Sequence, residues 1–263
     1  VKIVVIGGTG LIGSKLVTKL NELGHDAIPA SPRLGINTIT GEGLAEALEG
    51  ASVVVDVSNS PSFEYATALE FFERSTRNLT TAEAVANVGH HVALSVVGTK
   101  SLSEGADPKT TTAGYFRAKQ TQEELLAASG IPYSIVHATQ FFEFIASIAD
   151  SATDGGTVRV PSAAFQPMAG EDVAAGVSKV ATGAPVNGIF EIGGPEVFRF
   201  DEPVRRVLAA LNDPREVVTD ASARYFGIPI GEHTLVPGDG ATRGEIRLDD
   251  WVGQAAPAKT AVA

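Results

Sequence analysis

The run KIVVIGGTGLIGS at residues 2–14 constrains the fold more than any other stretch of the chain. Residues 2–6 are short, apolar and rich in Ile and Val, which suits a strand buried on both faces of a parallel sheet. Gly7, Gly10 and Gly13 follow three apart, and Ile12, Leu16, Leu20 and Leu23 then recur at helical spacing until Gly24 stops them. Each glycine has a physical task. Gly7 allows the tight turn off the strand, Gly10 lets a phosphate approach the backbone, and Gly13 lets helix and strand pack closely. A pyrophosphate would sit on the free N–H groups of the helix N-terminus. The spacing is GxxGxxG rather than GxGxxG, but it follows a strand and opens a helix, which is the context a dinucleotide site requires. Gly7, Thr9, Gly10, Leu11, Ile12 and Gly13 are the first candidate cofactor contacts.

The rest of the chain keeps the same rhythm. Strands are expected at residues 26–30, 36–39, 52–57, 91–97 and 133–137, and helices at 43–49, 62–88 and 114–129, with a polar loop at 101–112. In the long helix, Tyr65, Leu69, Phe72, Thr76 and Leu79 fall three and four apart on one face. Strand–helix repetition of this kind predicts an α/β fold with a doubly wound parallel sheet, a Rossmann fold. After residue 150 the rhythm changes. A turn at 154–156 precedes a short strand, Glu171 and Asp172 place acids at the start of a helix running to about 182, residues 188–192 read as a strand and 201–211 as a helix. The tail AAPAKTAVA reads as frayed.

Composition narrows the function classes. With 44% hydrophobic residues among 263, a buried core forms easily, and a net charge of −11 argues against a nucleic-acid backbone as partner. The chain has no cysteine, which removes disulfides, thiolate metal sites and cysteine nucleophiles. VKIVVIGG lacks the layout of a signal peptide, and no segment is apolar for long enough to span a bilayer. The expectation is a cytoplasmic protein with a small-molecule substrate, no nucleic acid, no membrane and no metal.

GGTGLIGS, the strand ending LSVVG, YFRAK and SGIPYSIVHATQFF together resemble the short-chain dehydrogenase/reductase superfamily, and its atypical NmrA-like branch of NAD(P)-binding proteins in particular. The resemblance covers residues 1–145 and extends to QPMAGEDVA at 166–174. It implies a Rossmann core with strand order 3-2-1-4-5-6-7 and a small C-terminal substrate region. We accordingly read 1–150 as the NADP-binding core, rejoined by 171–193, and 151–263 as the smaller substrate-side region.

NAD-preferring relatives end the second strand on an acidic residue that binds the ribose hydroxyls. Here Asp26 comes too early, and the strand end carries Ser31 with Arg33 two residues on. Serine donates to a 2′-phosphate and arginine pairs with it, which favours NADP(H) over NAD(H); the alternative is an ordinary loop with a solvated arginine. Ser58 and Asn59, outside the carboxyl end of a strand, are cofactor neighbours or caps of the long helix.

Tyr115 and Lys119 of YFRAK share a helix face at i and i+4. The resemblance implies that the tyrosine exchanges a proton with the substrate oxygen and the lysine bonds the nicotinamide ribose. An ammonium about 4 Å away at an effective dielectric of ~20 contributes ~4 kcal/mol, enough before desolvation to bring a tyrosine of pKa ~10 to near 7. The pattern departs from the superfamily upstream: aligned on Gly98, Ser95 takes the first serine position but Val96 takes the second, which orients the substrate oxygen. Ser95 or Thr99 is then the remaining hydroxyl, and Tyr115 is either a catalytic acid or a structural residue. His90 and His91 are adjacent and diverge on a strand. Ala138, Thr139 and Phe141, after His137, match the segment that contacts the nicotinamide. The implied activity is NADP(H)-dependent hydride transfer to or from a small carbonyl or unsaturated compound. The alternatives are a non-catalytic dinucleotide sensor of the NmrA-like kind, or a sugar-nucleotide epimerase or dehydratase.

Overall fold

Alternation along the first strand decides how the molecule is layered. The computed structural model describes residues 1–105 and 114–255. In β1 (Lys2–Ile6), Ile3 and Val5 enter one apolar cluster while Val4 and Ile6 enter another, because successive strand residues face opposite ways. α1 (Leu11–Glu22) covers the first face with Leu16 and Leu20. β2 (Asp26–Ala30) follows, and α2 (Leu44–Leu48) covers the second face with Leu44 and Leu48. Each such fully buried Leu or Ile contributes roughly 1.5–3 kcal/mol.

The chain continues through β3 (Val53–Asp56), α3 (Tyr65–Ala86), β4 (His90–Val96), α4 (Thr99–Gly105), α5 (Gly114–Ala127) and β5 (Tyr133–Ala138). After β5 come α6 (Ile145–Ser151), the short strands β6 (Thr153–Asp154), β7 (Thr157–Val160) and β8 (Ala164–Phe165), then α7 (Gly170–Ala181) and β9 (Gly188–Gly193). The last elements are β10 (Phe198–Arg199), α8 (Asp201–Ala210), β11 (Glu216–Thr219), β12 (Thr242–Arg243) and α9 (Leu248–Ala255). Seven strands form one parallel sheet in the order β2-β1-β3-β4-β5-β9-β12. The α/β, doubly wound class expected from the sequence is what the chain adopts. α7 packs on α1, and β9 extends the sheet beside β5. A separate core, with Phe165, Phe200 and Val204, forms among the C-terminal elements.

Two expectations are corrected. Residues 36–39 are not a strand, so the sheet ends at β2 and the order 3-2-1-4-5-6-7 lacks its outer member. The cause is Asn37, whose Oδ1 accepts from the N–H of Ile39 at 2.9 Å and of Thr40 at 3.4 Å, closing a turn. Asn78 of α3 holds that turn from below by donating to Thr38 O at 2.7 Å and Ile39 O at 3.0 Å. The polar stretch from residue 101 likewise begins in a helix, α4, anchored by fully buried Leu102. Ser101 and Ser103 donate to the carbonyls three residues back, so their polarity is consumed locally. The remainder of that loop, 106–112, residue 113 and the tail from 256 lie outside the described residues.

Candidate functional site

Ligands of an open parallel sheet lie outside the carboxyl ends of the strands, at the point where strand order reverses. Here that point lies between β1 and β3, and the glycine loop fills it. Gly7 has φ +78°, and a Cβ there would come within 2.8 Å of Ser58 N. The loop after β3 therefore packs against the glycine turn. A Cβ on Gly13 would lie 2.1 Å from Gly7 O, whereas one on Gly10 would meet only Gly7 O at 3.3 Å. α1 starts from Gly10 with no side-chain cap, so the N–H groups of its first turn are free of side-chain partners. Thr9, Gly10 and Leu11 are exposed at this turn, while Ile12 is buried in the α1–α7 core.

At the end of β2, Ser31 is buried and its Oγ has no partner among the described residues, while Arg33 is exposed in the 3-10 turn Pro32–Leu34. At the opposite end, Ala138 closes β5 and Thr139 follows it, both buried, and Thr139 Oγ1 also lacks a partner among the described residues. Phe141 is half-buried and stacks on Phe144 at 5.5 Å. An uncapped helix start flanked by two orphaned hydroxyls fits an extended dinucleotide. The pyrophosphate would lie on α1, the adenosine ribose by Ser31 and the nicotinamide by Thr139.

Ser58 and Asn59 have protein partners. Asp56, nearly fully buried, accepts from Ser58 N at 2.9 Å and Ser58 Oγ at 2.6 Å on Oδ1, and from Gln122 Nε2 at 3.0 Å on Oδ2. Asn59 Oδ1 accepts from the Tyr115 hydroxyl at 3.0 Å. Tyr115 is thus brought to the rim of the crevice. Its ring is edge-on to Phe63 at 5.1 Å, Phe116 at 5.6 Å and Phe72 at 5.9 Å. The helix reaches this position because Gly114 has no side chain: a Cβ there would lie 2.2 Å from Tyr65 Cβ on α3.

Lys119 has a different setting from the one expected. Its side chain is buried, its Nζ donates to Leu94 O at 2.8 Å and to Gln122 Oε1, and it lies 4.6 Å over the Phe72 ring. Burial brings its pKa down to about 8, against the opposing pull of Asp56 and Glu123. The Tyr115 hydroxyl, for its part, is pushed up by burial and not drawn down by the Lys119 ammonium. The acidified tyrosine expected from the i, i+4 spacing is therefore not formed.

Ser95 is also engaged. Its Oγ donates to Glu123 Oε1 and lies 3.3 Å from Thr99 Oγ1. Thr99 in turn donates to Val96 O at 2.6 Å. Glu123 Oε1 also meets His137 Nε2 at 3.0 Å. Burial raises the Glu123 carboxyl, but His137, Ser95 and Lys119 together outweigh it and hold the group below the usual range. Gln122 and Glu123 were not singled out in the sequence. Their signal was present, since they stand three and four residues beyond Lys119 on the same helix face. His90 and His91 diverge as expected: His90 bonds Ser134 at 2.8 Å and His91 bonds Glu83 at 2.7 Å.

The parallel sheet, the glycine turn and the uncapped helix define a dinucleotide-binding Rossmann protein. The NAD(P)H-binding family matches residues 35–182, over half the chain, and the chain belongs to that family. It is 27% identical over 166 residues to Protein TIC 62, chloroplastic, of Pisum sativum, an alignment that spans 50% of this chain and 31% of that relative. MoeE5 in complex with UDP-glucose and NAD shares the fold at a TM-score of 0.71, with 17% identity and 98% of each chain covered. dTDP-4-dehydrorhamnose reductase from Bacillus anthracis in complex with NADP has a TM-score of 0.66 and 12% identity, over 96% of this chain and 92% of that one. A short-chain dehydrogenase/reductase superfamily protein from Agrobacterium tumefaciens with bound NAD has a TM-score of 0.70 and 17% identity, over 99% and 97%. The chain shares its fold with these three structures, one of which is a short-chain dehydrogenase/reductase superfamily protein. Among the described residues, no helix is long and apolar enough to cross a membrane.

Proposed function

We infer that the chain is an NADP(H)-dependent oxidoreductase of the atypical short-chain type, acting on a small carbonyl or unsaturated compound. The observation that carries this reading is the Tyr115 hydroxyl at the crevice rim, held by Asn59 beside the loop that packs on Gly7. A bound nicotinamide supplies or accepts the hydride. The chain's part is to place the substrate and move a proton. A tyrosine with a raised pKa is a poor base, but it remains protonated near neutral pH and donates readily to an alkoxide, which is far more basic. The arrangement therefore suits reduction better than alcohol oxidation. Ser31 and Arg33 are assigned to the 2′-phosphate, and the glycine loop and Thr139 to the pyrophosphate and nicotinamide. In this reading Lys119, Gln122 and Asp56 brace the seam between β3, β4 and α5 behind the tyrosine.

A second reading, a dinucleotide sensor of the NmrA-like kind without turnover, is favoured by one observation. The hydroxyls of Ser95 and Thr99 and the ammonium of Lys119 all have protein partners. NADPH with a panel of carbonyl compounds separates the two. Turnover that Tyr115→Phe abolishes, with NADPH affinity unchanged, supports the enzyme. Tight NADPH binding without turnover across the panel supports the sensor.

A further inference from the structure

We propose that Asn59 is a catalytic residue of this site: its side-chain N–H groups hold the oxygen of a ketone or aldehyde beside the Tyr115 hydroxyl and stabilise the charge that this oxygen gains on reduction. The proposal rests on the oxidoreductase reading above and narrows its substrate to a carbonyl compound.

Asn59 stands in the loop between β3 and α3, next to Ser58, whose main chain packs on Gly7. Its amide has one orientation. The N–H of Ser60 meets Oδ1 at 3.0 Å and can only donate, so the atom it meets is the amide oxygen. The Tyr115 hydroxyl donates to the same oxygen at 3.0 Å. Nδ2, on the other branch of the amide, carries two N–H donors, and the residue is exposed. The acceptor side of the amide is thus committed to the protein, and the donor side is what Asn59 has to offer a ligand.

That donor is within reach of the tyrosine's own target. Covalent geometry puts Nδ2 about 2.3 Å from Oδ1. Because Oδ1 is 3.0 Å from the Tyr115 hydroxyl, Nδ2 lies no more than about 5.3 Å from it. Two hydrogen bonds of about 2.8–3.0 Å span such a gap through one shared atom. A single carbonyl oxygen can therefore accept from Asn59 and from Tyr115 at once.

The hydroxyls expected to orient the substrate are spent. Each carries one proton. Ser95 gives its proton to Glu123 Oε1, Thr99 gives its own to Val96 O at 2.6 Å, and both residues are buried. Val96 has no donor in its side chain. The Asn59 amide supplies from the β3 side of the tyrosine what Val96 does not supply from the β4 side. A carbonyl oxygen gains negative charge where the two donors converge, whereas an isolated carbon–carbon double bond has no acceptor to place there.

In the reduction the carbonyl carbon gains the hydride of a reduced nicotinamide. The carbonyl π pair moves to oxygen and takes the Tyr115 proton, which turns from Asn59 Oδ1 to the substrate by rotation about the tyrosine C–O bond. The products are an alcohol, the oxidised cofactor and a tyrosinate that solvent reprotonates. Asn59 keeps its protons, and its bond to the oxygen strengthens as the charge grows.

Asn59→Asp is the discriminating change, because it keeps an oxygen for Ser60 and Tyr115 and replaces the N–H groups by a second oxygen. With acetophenone and NADPH it should lower kcat by about 10²–10³-fold, the scale of one lost donor to a developing oxyanion. NADPH affinity should stay within a few-fold of wild type, and the melting temperature should not fall. Asn59→Ala serves if the aspartate variant does not fold. Infrared spectra of acetophenone bound to the NADP-loaded protein give a second readout: the carbonyl band should lie lower in the wild type than in the variant, since N–H donation weakens the C=O bond. A folded variant with kcat within a few-fold of wild type overturns the proposal. So does lost NADPH affinity with kcat unchanged, which would make Asn59 a cofactor contact. If the wild type reduces no carbonyl compound, the oxidoreductase reading fails separately. The carbonyl band then decides: a lower band in the wild type supports the amide as the carbonyl's donor, and equal bands or no acetophenone binding overturn it.

Discussion

The two ends of the crevice are built by different means. At the β1–α1 end, the architecture rests on main chain: Gly7, Gly8 and Gly13 each stand where a Cβ would strike backbone within 3 Å. At the β4–α5 end, it rests on side chains from distant parts of the sequence, such as the pair Asp56 and Gln122, 66 residues apart. A backbone-built site depends on local geometry alone. A side-chain network depends on every partner arriving, and a residue's assigned role can be redirected by neighbours it does not meet in sequence. Tyr115 and Lys119 show this, because the helix spacing is as expected while the ammonium turns to Leu94 and Gln122.

The contrast can be broken most forcefully at Gly13. Alanine normally gains about 1 kcal/mol over glycine inside a helix. Here its Cβ would meet Gly7 O at 2.1 Å, so Gly13→Ala should abolish NADPH binding and lower the melting temperature, while Gly10→Ala, whose Cβ meets only Gly7 O at 3.3 Å, should weaken NADPH binding with little change in melting temperature. Calorimetric titration with thermal melts checks both.

The network end should declare itself through pH. Lys119 has a folded pKa of about 8 against an ordinary 10.5. Between these values the unfolded chain holds a proton that the native one has released, so native stability rises with pH across that window. The wild type should gain up to about 3 kcal/mol relative to Lys119→Met between pH 8 and 10.5. Urea unfolding of both proteins at the two pH values measures it, and equal slopes would mean that the lysine is not buried as described.

Arg33→Ala tests the adenosine end of the backbone-built half. Losing one charge-assisted contact of about 1.5–3 kcal/mol should weaken NADPH binding roughly 10- to 150-fold and leave NADH unchanged. Unchanged NADPH affinity would return Arg33 to the solvated loop.

The smallest effect concerns the pH profile of reduction. A tyrosine brought to near 7 by an adjacent ammonium would lose its proton, and the rate would fall above pH 7. Because burial raises the Tyr115 hydroxyl, its protonation should impose no falling limb on kcat/KM up to about pH 10. A steady decline from pH 7 would restore the acidified pair.

Legibility in the sequence follows the same division. The glycine turn, the buried strands and the α3 face were readable because each is a local rule of period or backbone freedom. Residues 36–39 misled because Ile36 and Ile39 look strand-like, while the Asn37 turn is fixed by Asn78, 41 residues on. The start of α4 was hidden by its serines, which read as loop until Leu102 is seen to anchor it. Ser95, Thr99 and Lys119 were recognisable as hydroxyls and an amine. Their orientation depended on Glu123, His137 and Gln122, which pattern alone does not bring together.

Titration of NADPH into the wild type, Gly13→Ala and Lys119→Met separates a site built from main chain from one that depends on the lysine. Binding lost in Gly13→Ala and kept within a few-fold in Lys119→Met is the expected result. Binding kept in Gly13→Ala, or lost in a folded Lys119→Met protein, would contradict a dinucleotide held by the glycine loop.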